Sequence, residues 1–371
     1  MKIALIIFRI GPSHGSILQT YALHKVLTDM GHEVDIIDRQ PPVDIIGTVK
    51  SCISRLVGRF NGGYFGPIFY SGGYSNTSMK KITHFVKQHL APCLYTIRSA
   101  KDVKKLATHG YEAFVVGSDQ TWRPKYVYDI YYYFLDFLSD YPQIKKVAYA
   151  PSFGTNQWEF DSVQTMRCKL LVKNFNAVSV REKDGVGLCY KYLDVNPTLV
   201  QDPTLLLSQN DYFKLICNNI SNERYIAYSL LDDNPLYGDI LDKISIYYKL
   251  DTKRINSNIG IRKHKSDFIE PGIEQWLEDI HNSDMVVTDS FHATVFSILF
   301  NKPFITIGNN FRGLSRLQSL LEGVNLSHRL IKDVSDLTDS LLNKQEDWKS
   351  INDILKSKRD SSIEFLLNSL K

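Results

Sequence analysis

Cysteine, long apolar runs and an excess of either charge are all scarce in this sequence. Its five cysteines lie far apart among 371 residues, and none belongs to a C-x-x-C pair. That pattern argues against a disulfide scaffold and a structural zinc site, and it favours a reducing compartment. The apolar run at residues 3–8 stops at Arg9, which is too short for a signal-peptide core or a membrane span. We therefore expect a cytoplasmic protein whose contact with membranes is at most peripheral.

Charge and missing motifs exclude further classes of protein. Lys and Arg number 44 against 40 acidic residues, so a net charge of +4 is spread over a long chain. Aromatic residues make up 12% of the sequence but are not interleaved with basic ones, and we expect no nucleic-acid partner. H-E-x-x-H, G-x-S-x-G and Walker A motifs are absent. We accordingly predict no metal site and no hydrolase elbow.

The alternation of apolar runs and helical periodicity predicts an α/β fold. Residues 3–8 form a continuous apolar run, residues 17–30 have apolar positions at helical spacing, and residues 33–38 fit a second strand. Such strand–helix–strand order implies a parallel sheet. A second series of the same kind returns between residues 225 and 307.

The length of the chain favours two domains with a cleft between them. We place an N-terminal domain at residues 1–205, with a flexible, glycine- and aromatic-rich excursion at 41–78. A C-terminal domain follows at 206–345, and an amphipathic C-terminal helix at 346–371. Ligands of open parallel sheets bind beyond the carboxyl ends of the strands, so polar residues that follow a strand are the candidates for a site.

Two of these clusters are candidates for holding an anion. Ser13, His14 and Gly15 lie in a loop before a helix, where free backbone N–H groups face an incoming anion. An ordinary tight turn into the helix explains the same residues. Arg181 follows another strand, and its planar guanidinium suits a carboxylate or a phosphate. The alternative there is a solvated charge run that opens a helix.

A third cluster combines small, acidic and aromatic residues directly after a strand. Gly117, Ser118, Asp119 and Gln120 are followed by Trp122. An Asp at a strand end can move a proton or hold a sugar hydroxyl, and Trp122 could stack on a sugar face. Asp119 could equally be a helix N-cap.

The fourth cluster lies between a short strand and an all-apolar helix. Thr288, Asp289 and Ser290 precede His292, which falls in the first helical turn. Free N–H groups and the positive helix end favour an anion there, and a histidine can give or take a proton near neutral pH. We therefore treat His292 as the main catalytic candidate, the alternative being a structural histidine.

These clusters, in this order, resemble the polysaccharide pyruvyl transferase family. The matching stretches extend over residues 2–310, namely IALIIF, HGSILQTYALHKVL, FVVGSDQTWRP, KVAYAPSFG, VSVREKDG, QDPTLLL and VVTDSFHATVFSILFNKPFITIG. The resemblance implies a GT-B-like fold of two Rossmann-like domains with parallel sheets. It also implies transfer of pyruvyl from phosphoenolpyruvate, a co-substrate, to a sugar of a surface or capsular polysaccharide precursor. A pyruvate ketal forms, phosphate leaves, and no cofactor is expected.

The resemblance assigns the donor side of the cleft to the second half of the chain and Arg181. Arg181 and His292 match a family arginine and histidine, and Ser290 occupies a position where many relatives have a donor-binding arginine. We expect Arg181, Ser290, Asp289 and Thr288 to bind the donor, with His292 as general acid or phosphate ligand.

The remaining candidates are expected on the acceptor side. Asp119 is the predicted base for a sugar hydroxyl, with Asp202 as its alternative. Trp122 and the tyrosine-rich residues 126–133 are expected to line the acceptor side. The other residues assigned to the cleft are Ser13, His14, Gly15, Gly117, Ser118 and Gln120. The acceptor is a glycan, which in such pathways is often lipid-linked.

Two other functions compete with this hypothesis. A glycosyltransferase with a nucleotide-sugar donor would use the same two-domain cleft. A non-catalytic glycan-binding protein could retain the fold, although acidic and histidine residues at strand ends argue against it.

Overall fold

The computed structural model describes residues 1–41, 53–54, 56–57, 78–216, 223–232, 234–257, 269–308 and 313–371. The excursion predicted at residues 41–78 lies almost wholly outside the described residues.

The first half of the chain forms a seven-stranded parallel sheet. Its strands are β1 (Lys2–Ile6), β2 (Glu33–Arg39), β3 (Leu94–Ile97), β4 (Ala113–Val116), β5 (Lys145–Ala148), β6 (Ala177–Val180) and β7 (Thr198–Leu199). They lie in the order β3-β2-β1-β4-β5-β6-β7. Ile3 of β1 is paired with Val34 on one side and Ala113 on the other. The central strands are apolar on both faces because helices cover both.

Six α-helices of this half have both ends among the described residues. They are α1 (His14–Asp29), α2 (Ile82–His89), α3 (Ala100–Leu106), α4 (Ser162–Val172), α5 (Lys183–Leu188) and α6 (Gln209–Phe213). Helix α1 begins after Ser13, whose Oγ accepts a hydrogen bond from the N–H of Ser16 (3.3 Å), and it ends before Gly31, which has a φ of 87°. Serine caps and a left-handed glycine are common helix boundaries.

The second half forms a five-stranded parallel sheet. Its strands are β8 (Tyr225–Ser229), β9 (Asp251–Arg254), β10 (Met285–Thr288), β11 (Phe304–Ile307) and β12 (Leu330–Ile331), in the order β12-β11-β10-β8-β9. The helices are α7 (Pro235–Tyr248), α8 (Ile273–Asn282), α9 (Phe291–Leu299), α10 (Leu314–Glu322), α11 (Asp339–Leu342) and α12 (Trp348–Ser369). Two parallel α/β sheets and a C-terminal helix confirm the predicted fold class.

A shared apolar core joins the two halves. It includes Leu5 of β1, Leu18 of α1, Trp276 of α8 and Phe296 of α9, all buried. Tyr212 lies edge-on to Phe296, with 4.8 Å between ring centroids. Because α1 packs between its own sheet and α8 and α9, the start of α1 lies at the boundary of the two halves.

Helix α12 returns to the first half. The N–H of Gln201 donates to Ser362 Oγ (2.9 Å), and Arg359 Nε donates to the carbonyl of Leu205 (2.8 Å). Phe365 packs near Tyr149, with 6.2 Å between ring centroids. The chain therefore passes from the first half to the second and back again. Among the described residues, no helix has both the length and the apolar character that crossing a membrane requires.

Both sheets reverse their strand order at one point, between β1 and β4 in the first and between β8 and β10 in the second. A crevice forms at the carboxyl ends of the strands where the order reverses. Helices α1 and α9 begin at these two points. The fold therefore directs two helix N-termini to the space between the sheets.

Candidate active site

A cleft of about 570 Å³ lies between the two sheets. Its walls follow the strands at which both sheets reverse their order. The lining residues include Phe8, Arg9, Gly11, Ser13, His14, Gly15, Asp119, Gln120, Lys125, Tyr126, Ser229, Asn256, Glu270, Trp276, Asp289, Ser290, Phe291, His292 and Arg316. Ligand sites of open α/β sheets have this location.

The loop before α1 forms one wall, and it also links the two halves. His14 Nε2 lies 2.9 Å from the carbonyl oxygen of Pro271, and the ring stacks on Trp276 at 5.1 Å. Burial lowers the pKa of His14, against the opposing effect of nearby Glu270, so a neutral ring is favoured. A Cβ on Gly15 would lie 2.0 Å from Nδ1 of His292. Ser13, His14 and Gly15 thus line the cleft, and Gly15 leaves room for the imidazole.

The backbone after β4 is strained at Asp119. Its φ of 75° and ψ of −170° fall in a region that is almost exclusive to glycine. The Asp119 carbonyl accepts from the N–H of Ser152 (2.8 Å), and its Oδ1 accepts from the N–H of Gln120 (2.9 Å). These bonds hold the carboxylate at the cleft wall, 3.6 Å from Nη2 of Arg181. Such strain is found at functional sites when surrounding contacts maintain it.

Gly117 and Ser118 are buried beneath this wall. A Cβ on Gly117 would lie 3.2 Å from the carbonyl oxygen of Ile6, so the glycine permits close packing of β4 on β1. Ser118 Oγ donates to the carbonyl of Ala150 (2.9 Å) and accepts from Arg181 Nη1 (3.2 Å). Both residues support the cleft from below.

Trp122 does not line the cleft, which corrects the prediction that it stacks on a sugar. It is fully buried in the first half. Its ring stacks on Phe134 at 4.6 Å, and Nε1 donates to the carbonyl of Tyr133 (3.2 Å). The three-residue helical turn at 120–122 rotates this side chain away from the cleft and leaves Gln120 facing it.

Of the tyrosines predicted for the acceptor side, some are buried in the core and one lines the cleft. Tyr132 and Tyr133 are buried in the core, whereas Tyr126 lines the cleft. Arg123 lies over the Tyr126 ring at 4.2 Å and donates to Gln120 Oε1 (2.8 Å). Gln120 and Tyr126 therefore form a braced polar and aromatic surface on this wall.

Asp202 lies at the centre of a buried polar network beneath the cleft. Its Oδ2 accepts from Gln19 Nε2 (2.5 Å) and Arg181 Nη1 (2.6 Å), and its Oδ1 accepts from Thr204 Oγ1 (2.6 Å). Burial by itself would raise the pKa of Asp202, but the neighbouring His292, Arg181 and Thr204 hold it well below its usual range. Asp202 is therefore a carboxylate at neutral pH. It lies beneath the cleft rather than lining it.

Arg181 is surrounded by three carboxylates. Besides Asp202, its Nη2 lies 3.6 Å from Asp119 and its Nε lies 3.7 Å from Glu182. Burial would lower the pKa of Arg181, but these carboxylates raise it. Nε and Nη2 are buried without a hydrogen-bond partner among the described residues. Two donors of this cation are thus unmatched, although the side chain itself is only 1% exposed.

The segment before α9 is held by its own domain. Thr288 Oγ1 donates to the carbonyl of Ser229 (2.6 Å) and accepts from the N–H of Ser290 (2.9 Å). Asp289 is buried, and its carboxylate accepts from the N–H of Leu231 (2.8 Å) and the hydroxyl of Tyr237 (3.2 Å). Thr288 and Asp289 therefore fix the direction of α9. Thr288 is fully buried, whereas Asp289 also lines the cleft, so its predicted contact with a donor stays a prediction. Ser290 is the N-cap and lines the cleft.

His292 faces the Asp202 network from the other half. Its Nε2 lies 3.7 Å from Asp202 Oδ2 and has no hydrogen-bond partner in the described part of the chain. Arg181 and His292 thus lie on either side of one carboxylate oxygen, at the start of α9. The structure brings together Arg181, His292, Asp119 and Asp202, which come from distant parts of the sequence.

Two functional candidates were missed by the sequence analysis. Gln19 is a polar residue among the apolar positions of α1. Its polarity at that position was the feature of the sequence that could have indicated a functional role. Arg316 lies on α10, far from any strand end, and lines the cleft with its guanidinium 5.7 Å from the Phe291 ring. Burial, and then the charge of Arg181, lowers the pKa of Arg316 to about 10. It is therefore a second arginine close to Arg181.

Comparison with known sequences identifies one family. The sequence model described as polysaccharide pyruvyl transferase matches residues 14–310. No significant match was found among curated proteins.

Comparison with solved structures identifies the fold. Arabidopsis thaliana UGT89C1 complexed with UDP-L-rhamnose has 9% sequence identity and a TM-score of 0.53, over 99% of this chain and 98% of that one. The UDP-GlcNAc 2-epimerase of Methanocaldococcus jannaschii has 13% identity and a TM-score of 0.52, over 95% of each chain. S. aureus MnaA with UDP has 12% identity and a TM-score of 0.51, over 100% of this chain and 98% of that one. These similarities confirm a GT-B-like fold.

Proposed function

The chain belongs to the polysaccharide pyruvyl transferase family, and from that premise we propose that it transfers pyruvyl from phosphoenolpyruvate to a sugar. The acceptor in this proposal is a glycan precursor of a surface or capsular polysaccharide, and the product is a pyruvate ketal. The donor is a co-substrate, and the proposed chemistry assigns every proton transfer to a side chain.

One observation carries the proposal: unmatched buried donors of Arg181 and His292 meet at the N-terminus of α9. Buried polar groups are nearly always hydrogen-bonded, so unmatched ones call for an explanation. Nε and Nη2 of Arg181 and Nε2 of His292 make no hydrogen bond among the described residues. Each lies 3.6 or 3.7 Å from a carboxylate oxygen, within ion-pair distance but beyond a hydrogen bond. An anionic ligand at the cleft floor would supply acceptors for the guanidinium and for an imidazole N–H.

The donor would meet more than one positive element. Phosphoenolpyruvate carries a carboxylate and a phosphate, and helix N-termini bind both kinds of group. Helices α1 and α9 begin at the cleft, and neither has an acidic residue in its first turn. The first turn of α9 also contains His292. Carboxylate and phosphate could thus each face a different positive element.

His292 is the general acid in the proposed mechanism. Its proton goes to the methylene carbon of phosphoenolpyruvate, and the C=C electron pair forms the new C–H bond. The adjacent carbon becomes cationic, still bonded to the phosphate oxygen. Nε2 of this imidazole lies 3.7 Å from Asp202 Oδ2, so the proton donor of this step faces a buried carboxylate.

Asp119 is the base in the same proposal. A sugar hydroxyl attacks the cationic carbon, and its proton goes to the Asp119 carboxylate. A second hydroxyl of the same sugar then attacks and gives its proton back to the imidazole of His292. The C–O bond to phosphate breaks, Asp119 passes its proton to the departing phosphate, and the ketal and inorganic phosphate are formed. Gln120 and Tyr126 on the same wall are suited to hydrogen bonding and stacking with the acceptor.

The test is phosphate release from phosphoenolpyruvate in the presence of candidate glycans. We expect His292→Ala and Arg181→Ala to lose most turnover, while His109→Ala, at an exposed histidine of the first half, keeps it. Near-normal turnover in both site variants would contradict the assignment. Circular dichroism and melting temperature establish that the variants are folded.

The alternative is a glycosyltransferase with a nucleotide-sugar donor. It is favoured by the fold shared with proteins whose structures contain UDP or UDP-L-rhamnose. Thermal shift distinguishes the two donors. Stabilisation by phosphoenolpyruvate supports the pyruvyl transferase, whereas stabilisation by UDP alone supports the glycosyltransferase.

A further inference from the structure

Helix α4 has apolar residues on two opposite faces. Cys168, Leu171 and Val172 point into the core of the first half. On the other face, Val163 is 60% exposed, Met166 63% and Leu170 64%. A surface helix ordinarily has one apolar stripe, the one it buries. The outer stripe of α4 is therefore not explained by folding.

A further exposed apolar side chain lies on the turn that follows α5. Residues Cys189–Leu193 form a π-helical turn that packs against α4, and its Tyr190 is 73% exposed. We call Val163, Met166, Leu170 and Tyr190 the α4 patch. Clustered apolar side chains in water mark a surface that another molecule covers.

Basic side chains border the α4 patch. Lys169 and Lys173 share a single carboxylate, Asp194, at 3.7 and 3.1 Å. Arg167 pairs with Asp136 at 2.9 Å. Lys191, beside Tyr190, is exposed. Basic side chains therefore outnumber the carboxylates that pair with them on this border.

An apolar stripe with a basic border is the pattern of a helix that lies on an anionic bilayer. Apolar side chains enter the acyl boundary while Lys and Arg remain with the headgroups. A second copy of the chain fits less well, because a two-fold contact would place each basic border against its own equivalent. We propose that the α4 patch docks the protein on an anionic lipid surface.

The position of α4 is compatible with an open active site. Helix α4 packs with Phe114 and Val116 of β4 in one core, whereas α1 packs in the other, which contains α8 and α9. The α4 patch is thus on the far side of the first sheet from the second half of the chain. Docking through it would leave the cleft uncovered.

Vesicle co-sedimentation tests the proposal on the full chain. The vesicles are phosphatidylcholine alone or with about one third phosphatidylglycerol. We expect binding only to the anionic vesicles, with release at about 0.5 M NaCl, where charge is screened. No sedimentation with anionic vesicles would overturn the proposal.

Two triple variants separate the apolar and basic contributions. Val163→Ser/Met166→Ser/Leu170→Ser should abolish binding, and Lys169→Gln/Lys173→Gln/Lys191→Gln should weaken it roughly 100-fold, about fivefold per lysine. Ile246→Ser, at a 77% exposed residue of α7, is the matched control and should bind normally. Normal binding by the apolar triple variant would overturn the proposal.

Analytical ultracentrifugation tests whether a second copy of the chain covers the α4 patch instead of lipid. A dimer that the apolar triple variant converts to monomer would show that a second copy covers the patch, and would overturn the lipid proposal. A monomer in both cases supports it when vesicle binding is also observed. Unchanged melting temperatures exclude unfolding as the cause, since all the replaced side chains are at the surface.

Discussion

The imidazole of His292 occupies the space that a side chain at residue 15 would need. A Cβ on Gly15 would lie 2.0 Å from Nδ1, 2.2 Å from Cγ and 2.6 Å from Cε1. The two residues belong to different halves of the chain, at the starts of α1 and α9. The close approach of the two halves at the cleft floor therefore depends on the absence of a side chain at Gly15, where the imidazole of His292 packs.

Gly15→Ala should therefore displace the imidazole while leaving both sheets intact. We expect turnover to fall about 100-fold, because a displacement of about 1 Å is enough to misalign an acid with its substrate. Phosphate release measures this loss. Gly238→Ala on α7, where a Cβ meets nothing within 4 Å, should keep full activity. A fully active Gly15→Ala would contradict the role of His292.

Replacing Asp202 should change the dependence of stability on pH. Its pKa is depressed in the folded chain, so its stabilisation is complete above the unfolded value of about 3.9 and is lost as pH falls below it. Asp202→Asn leaves Arg181 with one fewer carboxylate and should cost about 3–5 kcal/mol at pH 7. When the pH falls from about 5 to about 3, the free energy of unfolding should therefore decrease less in Asp202→Asn than in the parent.

Urea unfolding at several pH values measures both effects of this substitution. Asp194→Asn is the control, because this exposed carboxylate pairs with two surface lysines in the described part of the chain. Equal pH slopes for parent and Asp202→Asn would show that Asp202 is not the group responsible.

Gln19 should be a positioning residue for Asp202. Its Nε2 donates to Asp202 Oδ2 and to Ser118 Oγ (3.0 Å). Gln19→Leu should lower kcat about tenfold, since Asp202 loses a donor while Arg181 still holds it. Gln19→Glu should lower kcat further, because it places a second carboxylate beside Asp202. The two carboxylates then repel each other and compete for Arg181. The readout is the pH profile of kcat for both variants, which a purely structural role would leave unshifted.

Trp122 should matter for stability and not for the acceptor. Trp122→Ala should destabilise the fold by about 3–5 kcal/mol, the usual cost of removing a buried aromatic side chain. Trp122→Phe should keep the KM for the acceptor near that of the parent. Tyr126→Ala, on the cleft wall, should raise that KM with little change in melting temperature. A raised KM in Trp122→Phe would restore the original prediction.

Much of the framework could be predicted because strand ends carry a local signal. The apolar segments before Asp119, Arg181 and His292 form the strands that were expected. Parallel topology then places Asp119 and Arg181 at the carboxyl edge of the first sheet and His292 at the carboxyl edge of the second. β9 escaped prediction because its residues, DTKR, are polar and lie at a sheet edge. A strand that buries little apolar surface leaves no periodic pattern.

The direction of individual side chains could not be predicted. Trp122 and Gln120 are two residues apart, yet one is in the core and the other faces the cleft. The choice depends on a short helical turn that begins at the strained Asp119. Arg316 could not be placed either, because its contact with the Phe291 ring depends on how α10 packs beside α9.

The double passage of the chain between its halves constrains how the cleft can change width. With β7 leading into the second half and α12 returning to Gln201 and Leu205, the halves are tethered at two places rather than one. These two links act together with the apolar core that the halves share, and all three oppose a change in the width of the cleft. Trimming the final helix would leave the alignment of Gly15 against His292 to the chain crossing and the rest of the shared core.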